Sequence, residues 1–330
     1  RLENALTLFC HPQSPPRFML LKAQETREYL ELIAHAVKPL LPKNTACRGS
    51  HYVIQDGKVS VEPASRGDEP FAAGGACLFQ EWIEPEQLFG CVRIHNGDIT
   101  LQPGLVHQAN GGILILSARA LLAQPLLWLR LKQMIGQRQF HWVSPDETRP
   151  LPVAIPPMPL DLRLIVVGDR HGLADFHDIE PELSEQAIYG EFEDDLQLTE
   201  VDDMAQWCGY VNGVIADQQL PMLANDAWPP LIVQAVRYSG DQGILPLSPV
   251  WLAQQLSEAA LYAEEDRITA KAFEAALNAR EWRESYLAER MQDEIELGQI
   301  LIETEGEVVG QINGLSVLDY PGHPRSFGEP

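Results

Sequence analysis

The stretch "FMLLKAQETREYLELIA", residues Phe18–Ala34, has the outline of a nucleotide-binding element without the usual side chains. A short apolar strand leads into a polar connection and then into an amphipathic helix with Leu30, Ile33 and Ala34 on one face. Phosphate-binding loops of the form G-x-x-x-x-G-K-[ST] occupy this strand, loop and helix context. Here the eight corresponding positions read K-A-Q-E-T-R-E-Y. The stretch therefore predicts either an ordinary helix start or a dismantled nucleotide site.

Four of these positions oppose phosphate binding. Lys22 and Arg27 stand where two glycines would let backbone N–H groups face the phosphates. Glu28 replaces the phosphate-neutralising lysine, and Tyr29 replaces the hydroxyl residue that holds magnesium. A unit charge pair at about 4 Å and an effective dielectric near 20 is worth about 4 kcal/mol, while micromolar affinity is about 8 kcal/mol in total. The reversed charge at Glu28 thus opposes useful binding, although the stretch taken alone favours an ordinary helix start.

A second segment, "HQANGGILILSARALL" or His107–Leu122, ends a buried strand with two uncharged residues. A Gly-Gly turn precedes the strand, and Ser117 and Ala118 follow at its carboxyl end. Ligands of open α/β sheets bind outside such strand ends. A working ATPase carries there an acidic ligand for magnesium and a residue that orients water. Ser117 and Ala118 supply neither of these groups. By itself, the strand is interpreted as part of the hydrophobic core.

The first part of the chain alternates strand and helix patterns. Buried strands at 111–117 and 161–169, with one helix predicted over 118–135, indicate an α/β fold with a parallel sheet covered by helices. "HYVIQDGKVSVEP" alternates polar and apolar residues around Asp56-Gly57, which predicts a type I′ hairpin. With the loop-like residues that follow, 43 to about 80 is predicted to be an insertion.

Helical patterns dominate from about Asp202 onward. Helices are predicted over 226–239, 248–263 and 269–297, the last a charged connector that Gly298 ends. A hairpin pattern turning at Glu305-Gly306 follows. Because the chain starts with Arg, shows no signal peptide and stops after a strand-like segment, we expect a fragment of a longer protein.

Composition limits the classes of partner and the cellular compartment that we expect for this chain. With 24 basic and 47 acidic residues, the net charge of -23 argues against nucleic acid and anionic membranes as partners. No apolar run approaches the roughly 20 residues that a membrane helix needs. The five cysteines contain no C-x-x-C pair, which is typical of reduced thiols in a cytoplasmic protein.

Histidines and serines form no recognisable catalytic or metal motif. "RHGLADFHD" places Asp175 and Asp178 beside His171 and His177, but the spacing matches no strong metal signature, so no metal is predicted. His107, like these two, is interpreted as a hydrogen-bonded or surface histidine. No G-x-S-x-G elbow supports a Ser-His-Asp nucleophile.

Three longer segments carry a family resemblance. "VHQANGGILILSARALLAQP" (106–125) resembles the segment of Lon-type ATP-dependent proteases in which H-x-A-N-G-G precedes the second nucleotide motif. "YLAERMQDEIELGQILIETEGEVVGQINGLSVLD" (286–319), followed by "SFGEP", is similar to the linker helix and first strands of their proteolytic domain. "EPEQLFGCVRIHNGDITLQPGLVHQ" (84–108) is similar to the branch with an insertion before that motif. The resemblance covers nearly the whole chain and is close to bacterial Lon-related protease homologues.

This resemblance implies an AAA+ P-loop-NTPase-like sheet over 1–205, a helical lid and linker helix over 206–297, and the first strands of a Ser-Lys protease domain over 298–330. It aligns positions 22–29 with G-P-P-G-T-G-K-T, and Ser117-Ala118 with the family's Asp-Glu pair. Asp169 falls at a sensor position, with Arg170 after it, and Ser257 stands where the lid arginine that senses the γ-phosphate is expected. The family's catalytic Ser and Lys lie beyond Pro330, and Ser316 corresponds to a structural position.

The leading hypothesis is a degenerate AAA+ module of a Lon-like serine protease, for ring assembly and protein-substrate handling. No cofactor is expected, since the ATP and magnesium motif residues are absent. Partners would be protein or peptide substrates, contacted by exposed loops such as "NGDITLQPG" (96–104) or the 43 to 80 insertion, and further copies of the full-length protein. Two alternatives stay open: an ATP-dependent serine endopeptidase with an unusual nucleotide site, and a non-enzymatic scaffold or adaptor.

Overall fold

The chain forms two compact units in a computed structural model, Arg1–Glu193 and Asp194–Pro330. The structure describes residues 1–41, 48–64, 71–73, 75–144, 149–264 and 266–300, with short pieces at 306, 309–310, 314, 316–318 and 327–329. The sequence placed the first boundary at 205. In the structure a strand at Asp195–Gln197 pairs with Ile244–Pro246, so residues from 194 onward belong to the second unit.

A five-stranded parallel sheet organises the first unit, which confirms the predicted α/β class. Its strands are β1 (Phe18–Lys22), β5 (Cys77–Gln80), β8 (Ile113–Ser117), β11 (Arg163–Gly168) and β12 (Ile188–Glu191). Their spatial order is β12-β1-β11-β8-β5, so that β1 lies between β11 and the edge strand β12.

Successive side chains of the sheet enter two different cores. On one face Met19 and Ile115 pack with α1 (Leu2–Cys10) and α2 (Arg27–Val37). On the other face Leu20 lies in the cluster that includes α5 (Ala118–Leu122), α6 (Pro125–Gln137) and α7 (Arg170–Ile179). Helices cover both faces of the sheet, and this is why the sequences of its strands are nearly continuous apolar runs.

The single helix predicted over 118–135 is wrong in one respect, because it is broken between α5 and α6. Gln124 adopts φ -132° and ψ 70°, outside the helical region, and Pro125 begins the next helix. A residue before proline is driven out of the α region, whereas proline itself fits the first helical position. Pro125 therefore restarts the helix.

Two hairpins lie between the strands of the main sheet, the first within the predicted insertion and the second after β5. Strands β2 (Arg48–Gln55) and β3 (Lys58–Pro63) turn at Asp56 and Gly57, whose φ values of 50° and 71° confirm the predicted I′ turn. Strands β6 (Cys91–His95) and β7 (Asp98–Gln102) form a second hairpin that turns at Asn96-Gly97. The remaining elements of this unit are β4 (Ala72–Ala73), α3 (Pro85–Phe89), α4 (Leu105–Gln108), β9 (Gln139–Phe140), β10 (Met158–Pro159), α8 (Pro181–Gln186) and a 3₁₀ turn at Lys38–Leu40.

The predicted extent of the insertion needs correction at its end. Residues 77–80, which the sequence assigned to it, form β5 and pair with β8 in the main sheet. Only Cys77 of these four is buried, the others being half-buried. A four-residue edge strand after a glycine-rich loop gives almost no periodic signal, so the sequence did not reveal it.

Helices dominate the second unit as predicted, around a core that includes Trp207, Leu252 and Phe273. The helix predicted over 269–297 is divided at Ser285, whose hydroxyl donates to Trp282 O and also bonds Glu289. Such local side-chain bonds compete with the helical ladder. The elements are β13 (Asp195–Gln197), α9 (Asp203–Asp217), β14 (Met222–Leu223), a 3₁₀ turn at Asn225–Ala227, α10 (Trp228–Ser239), β15 (Ile244–Pro246), α11 (Pro249–Ala260), β16 (Arg267–Ile268), α12 (Ala270–Glu284), α13 (Tyr286–Glu296), β17 (Ser316–Leu318) and β18 (Phe327–Glu329).

Near the C-terminus, β17 and β18 pair antiparallel. The hairpin predicted to turn at Glu305-Gly306 lies mostly outside the described residues. Among the helices that the structure describes, none combines the length and the apolar character needed to cross a membrane.

Candidate functional site

The carboxyl ends of three central strands bring the predicted site positions together. Lys22 at the end of β1 is in register with Gly168 at the end of β11, and Ser117 at the end of β8 is in register with Val167. Asp169 follows β11 directly. The edge of the sheet at which α/β proteins bind ligands therefore gathers the loop after β1, the Ser117-Ala118 step and Asp169.

A glutamate that the sequence did not single out lies at the centre of this edge. The loop Ala23–Thr26 joins β1 to α2, and from it the Glu25 side chain, only 4% exposed, reaches the end of β8. Its Oε2 accepts hydrogen bonds from the Ser117 hydroxyl and, at 2.8 Å, from the backbone N–H of Arg119. The Arg119 guanidinium lies 3.9 Å from Oε1. The carboxylate is thus held by two donors and one nearby cation.

Helix α7 starts against the same carboxylate. Asp169 caps this helix, its Oδ1 accepting from the Gly172 N–H at 2.6 Å. A Cβ built on Gly172 would lie 3.2 Å from Glu25 Oε1 and 3.3 Å from Asp169 Oδ1. The absence of a side chain at Gly172 therefore leaves room for both carboxylates, and the positive end of the helix favours them. At the predicted sensor position, Asp169 serves as a helix cap.

Ser117 and Ala118 have local roles at the start of α5. The Ser117 hydroxyl, on a residue only 3% exposed, accepts from the Ala120 N–H at 3.3 Å while it donates to Glu25. Ala118 is fully buried, and a Cβ on Gly168 would lie 3.0 Å from the Ala118 Cβ. This pair supplies a helix cap and a packing contact, and neither side chain is a carboxylate.

The side chains at the remaining predicted loop positions differ in their contacts and in their burial. The Lys22 ammonium donates to Phe192 O at 3.4 Å, beyond the edge strand β12. Tyr29 is fully buried and meets the Phe192 ring edge-on, with 5.4 Å between centroids. Arg27 is exposed as the first residue of α2, and Glu28 is half-buried. The position that would hold magnesium in a phosphate loop is therefore part of the core.

These groups fit a magnesium-bound triphosphate poorly. In the fully described loop Ala23–Thr26 no residue has a positive φ, whereas glycine-rich phosphate loops use that freedom to turn N–H groups inward. The buried Glu25 carboxylate already uses the Ser117 and Arg119 donors and repels a second anion. Arg119 and Arg170 are cations near this edge, and Arg170 bonds Glu191 at 2.5 Å.

Ser257 belongs to the second unit, where it is exposed on α11. Its neighbour Glu258 accepts hydrogen bonds from Arg280 at 3.0 Å and from Arg283 at 3.1 Å. The residue of this helix that contacts these arginines is therefore Glu258, one position after Ser257. Ser316 lies in β17, and its side chain is outside the described residues.

His107 is buried in an aromatic cluster that it forms with Tyr52, Phe71, Phe140 and Trp142. Its Nδ1 accepts from the Gly104 N–H at 3.0 Å, and its ring centroid lies 4.1 Å from that of Phe140 and 5.1 Å from that of Trp142. Burial lowers the pKa of His107 to about 3. The ring is therefore neutral at physiological pH, in agreement with its interpretation as a hydrogen-bonded histidine.

His171 and His177 are exposed on α7. In the described part of the chain, no group of three or more His, Cys, Asp and Glu side chains is arranged to hold a metal ion.

Comparison with known proteins gives matches along the whole chain. The family model described as "LonB-like, AAA domain" matches residues 79–187. A curated Lon protease homologue from Escherichia coli is 53% identical over 330 residues, covering 100% of this chain and 56% of that protein. One from Haemophilus influenzae is 38% identical over 322 residues, covering 94% of this chain and 53% of that protein. The chain thus spans about half the length of the curated relatives it matches.

Among solved structures, NtrX from Brucella abortus matches with 14% identity. One of its crystal structures has a TM-score of 0.49 and covers 90% of this chain and 62% of that one. Another, in complex with ADP, has a TM-score of 0.47 and covers 82% and 52%. A likeness at this level says nothing about ligands of the present chain. The sequence matches carry more weight: the chain is similar over its whole length to curated Lon protease homologues, and residues 79–187 match the LonB-like AAA domain.

Proposed function

We propose that this chain is a degenerate AAA module of a Lon-like serine protease that acts without nucleotide. The observation that carries the proposal is the buried Glu25 carboxylate, which bonds the Ser117 hydroxyl and the Arg119 N–H at the strand ends where a nucleotide phosphate would bind. An anion in that place and a triphosphate exclude each other electrostatically. The fully buried Tyr29 and the packed Ala118 support the same conclusion, since neither can ligate magnesium.

Ring assembly and the handling of protein substrates are the roles that such a module retains. The β6–β7 hairpin supports a part in substrate contact, because among the described residues its strands pair with each other alone and most of its side chains are exposed. The Ser-Lys peptidase site that the family resemblance implies would lie outside these residues. The intact protein would then cleave peptides without an energy supply and would be homo-oligomeric.

Calorimetric titration of the chain with Mg²⁺–ATP tests this proposal. An active Lon ATPase domain, titrated in the same buffer, serves as the positive control. No heat at millimolar ligand is expected, whereas binding at micromolar concentration, worth about 8 kcal/mol, would overturn the proposal. Sedimentation of the full-length protein with and without nucleotide tests the assembly role, for which the same ring is expected in both conditions.

A second candidate is an ATP-dependent endopeptidase with unusual phosphate contacts. The exposed side chains of Arg119 and Arg170, 77% and 71% accessible, favour it because they place solvent-accessible cations near the strand ends. In that case Arg119→Ala would abolish a measurable ATP affinity of the unaltered chain.

A non-enzymatic scaffold is the third candidate. Peptide hydrolysis by the full-length protein distinguishes the scaffold from both protease candidates, because a scaffold would not cleave peptides. Hydrolysis that is lost when the protein is treated with a serine-directed phosphonate excludes the scaffold.

A further inference from the structure

We propose that one internal water molecule is bound within the aromatic cluster, where it hydrogen-bonds the His107 Nε2–H, the Trp142 indole N–H and the Tyr52 hydroxyl. We call these three groups the hydration site. They come from three parts of the first unit: Tyr52 from β2 in the insertion, His107 from α4, and Trp142 from the segment that follows β9. The bound water therefore fastens the insertion to the rest of the unit.

The three polar atoms of the hydration site are buried and unpaired. Tyr52 is 9% exposed, Trp142 is 6% exposed and His107 is fully buried. In the described part of the chain, the Tyr52 hydroxyl, the Trp142 Nε1 and the His107 Nε2 have no hydrogen-bond partner. A buried polar group without a partner is costly, and native structures contain few of them. Three such groups in one cluster indicate a shared partner that is not part of the polypeptide.

The other nitrogen of His107 determines which groups donate. Its Nδ1 accepts from the Gly104 N–H at 3.0 Å, so the proton of the neutral ring is on Nε2. The Trp142 indole N–H can only donate, whereas the Tyr52 hydroxyl can donate or accept. A water oxygen accepts from both N–H groups, and one of its hydrogens is donated to the Tyr52 oxygen. This arrangement gives the water about three hydrogen bonds, which is typical of buried water.

The rings of the hydration site are close neighbours that do not bond one another directly. The ring centroids of His107 and Trp142 are 5.1 Å apart, and those of Tyr52 and Trp142 are 5.8 Å apart. Burial raises the pKa of Tyr52 to about 12, and the Trp142 indole partly offsets this rise, so the indole N–H lies near the hydroxyl. No direct hydrogen bond joins these two described side chains. Polar groups that approach one another in this way are commonly bridged by water.

The surroundings favour a neutral ligand. Phe71 and Phe140 complete the cluster, and the Phe140 ring centroid lies 4.1 Å from that of His107. His107 itself is neutral, since burial lowers its pKa to about 3. An ion bound among these rings would lose its hydration without gaining an opposite charge, whereas a water molecule needs hydrogen bonds alone.

Water–protein NOE spectroscopy of the chain with ¹⁵N-labelled tryptophan tests the proposal. The chain has seven tryptophans, and the indole signal that Trp142→Phe removes is that of Trp142. Trp207 is the control in the same sample, because its fully buried indole N–H donates directly to Pro246 O at 2.9 Å. We expect a cross-peak with the sign of a long-lived bound water at Trp142 and no such cross-peak at Trp207.

Tyr52→Phe distinguishes a bound water from the Tyr52 hydroxyl proton, which exchanges with solvent and can produce a similar cross-peak. The water keeps its bonds to His107 and Trp142 in this variant, so the cross-peak at Trp142 should persist. Tyr210→Phe is the matched control, since it removes the hydroxyl of a half-buried tyrosine in the second unit that bonds Leu247 O at 2.8 Å. It should leave the cross-peak unchanged.

Two measurements do not require Trp142→Phe to fold. Long-range ¹H–¹⁵N correlation, assigned with His107→Asn, should place the His107 proton on Nε2. A high-resolution crystal structure of the unaltered chain should show a water within about 3.2 Å of both the His107 Nε2 and the Trp142 Nε1.

The absence of a water cross-peak at Trp142, or its loss in Tyr52→Phe, would overturn the inference, because the indole would then bond the hydroxyl directly. A proton on His107 Nδ1, a crystal structure without the water, or an equal cross-peak at Trp207 would also overturn it. The proposed function is separate: binding of Mg²⁺–ATP would count against the nucleotide-independent module and would leave the hydration site unaffected.

Discussion

Acidification should destabilise the first unit through one buried imidazole. The pKa of His107 falls from 6.5 to about 3 on folding, because burial disfavours the charged ring. The stability that depends on the neutral ring is fully present above pH 6.5 and is lost as pH falls from 6.5 towards 3. Each pH unit in this window costs about 1.4 kcal/mol, so a shift from pH 7.5 to pH 5.0 removes about 2 kcal/mol.

The assay is urea unfolding at these two pH values, followed by tryptophan fluorescence, for the unaltered chain and for His107→Asn. The asparagine retains an acceptor for the Gly104 N–H but has no proton to gain. His107→Asn should be less stable at pH 7.5, because it leaves space in the aromatic cluster. Between the two pH values it should lose about 2 kcal/mol less stability than the unaltered chain.

Other carboxylates and histidines titrate in both proteins, so the difference between the two losses isolates His107. Equal losses in the two proteins would refute the reasoning. A His107 imidazole resonance that titrates near pH 6.5 in the folded chain would refute it as well.

Three further outcomes follow from the burial and packing of individual residues. Tyr29→Ala should cost about 3–5 kcal/mol in urea unfolding, because a fully buried ring that contacts Phe192 is lost; a loss below 1 kcal/mol would contradict the core role of Tyr29. Gly112→Ala should lower the free energy of unfolding by about 3 kcal/mol or more, since the new Cβ would lie 2.1 Å from Ala76 O. Gly136→Ala, in open space on α6, should raise it by up to about 1 kcal/mol. Similar effects of the two substitutions would contradict the close approach at Gly112. Burial raises the pKa of Cys10 to about 11 and that of Cys77 to about 12. Both thiols should therefore react with iodoacetamide in the native protein far more slowly than the half-buried Cys208. Equal rates would show that the first unit opens to expose Cys10 and Cys77.

Periodic and turn patterns predicted much of the fold. The buried strands β8 and β11 and the Asp56-Gly57 turn follow from residues near one another in the chain, so local sequence was sufficient. The Gln124-Pro125 break also has a local cause that the helical pattern of 118–135 concealed. Strand β5 has no such pattern, because its pairing with β8 depends on a partner more than thirty residues away along the chain.

The sequence indicated which positions follow strands, but it did not indicate the contacts that Glu25 makes. Lys22, Ser117 and Asp169 follow strands, so their convergence at one edge of the sheet was foreseeable from parallel topology. The role of Glu25 was not, since a glutamate in a polar loop normally faces water. Only the three-dimensional approach of Ser117 and Arg119 distinguishes Glu25 from Glu28 three positions later.

The hydrogen bonds of Glu25 with Ser117 and Arg119 also bear on which mutations could introduce a phosphate-binding loop. Conversion of this edge to a phosphate loop needs glycines for turning, a lysine at position 28, a hydroxyl residue at position 29 and an empty strand end. Replacing Tyr29 alone opens the core, and replacing Glu25 alone leaves the Ser117 and Arg119 donors without an acceptor. Either of these two first steps lowers stability before any nucleotide can bind, and neighbouring changes of this kind are non-additive. Stability alone therefore disfavours single substitutions of Tyr29 or Glu25.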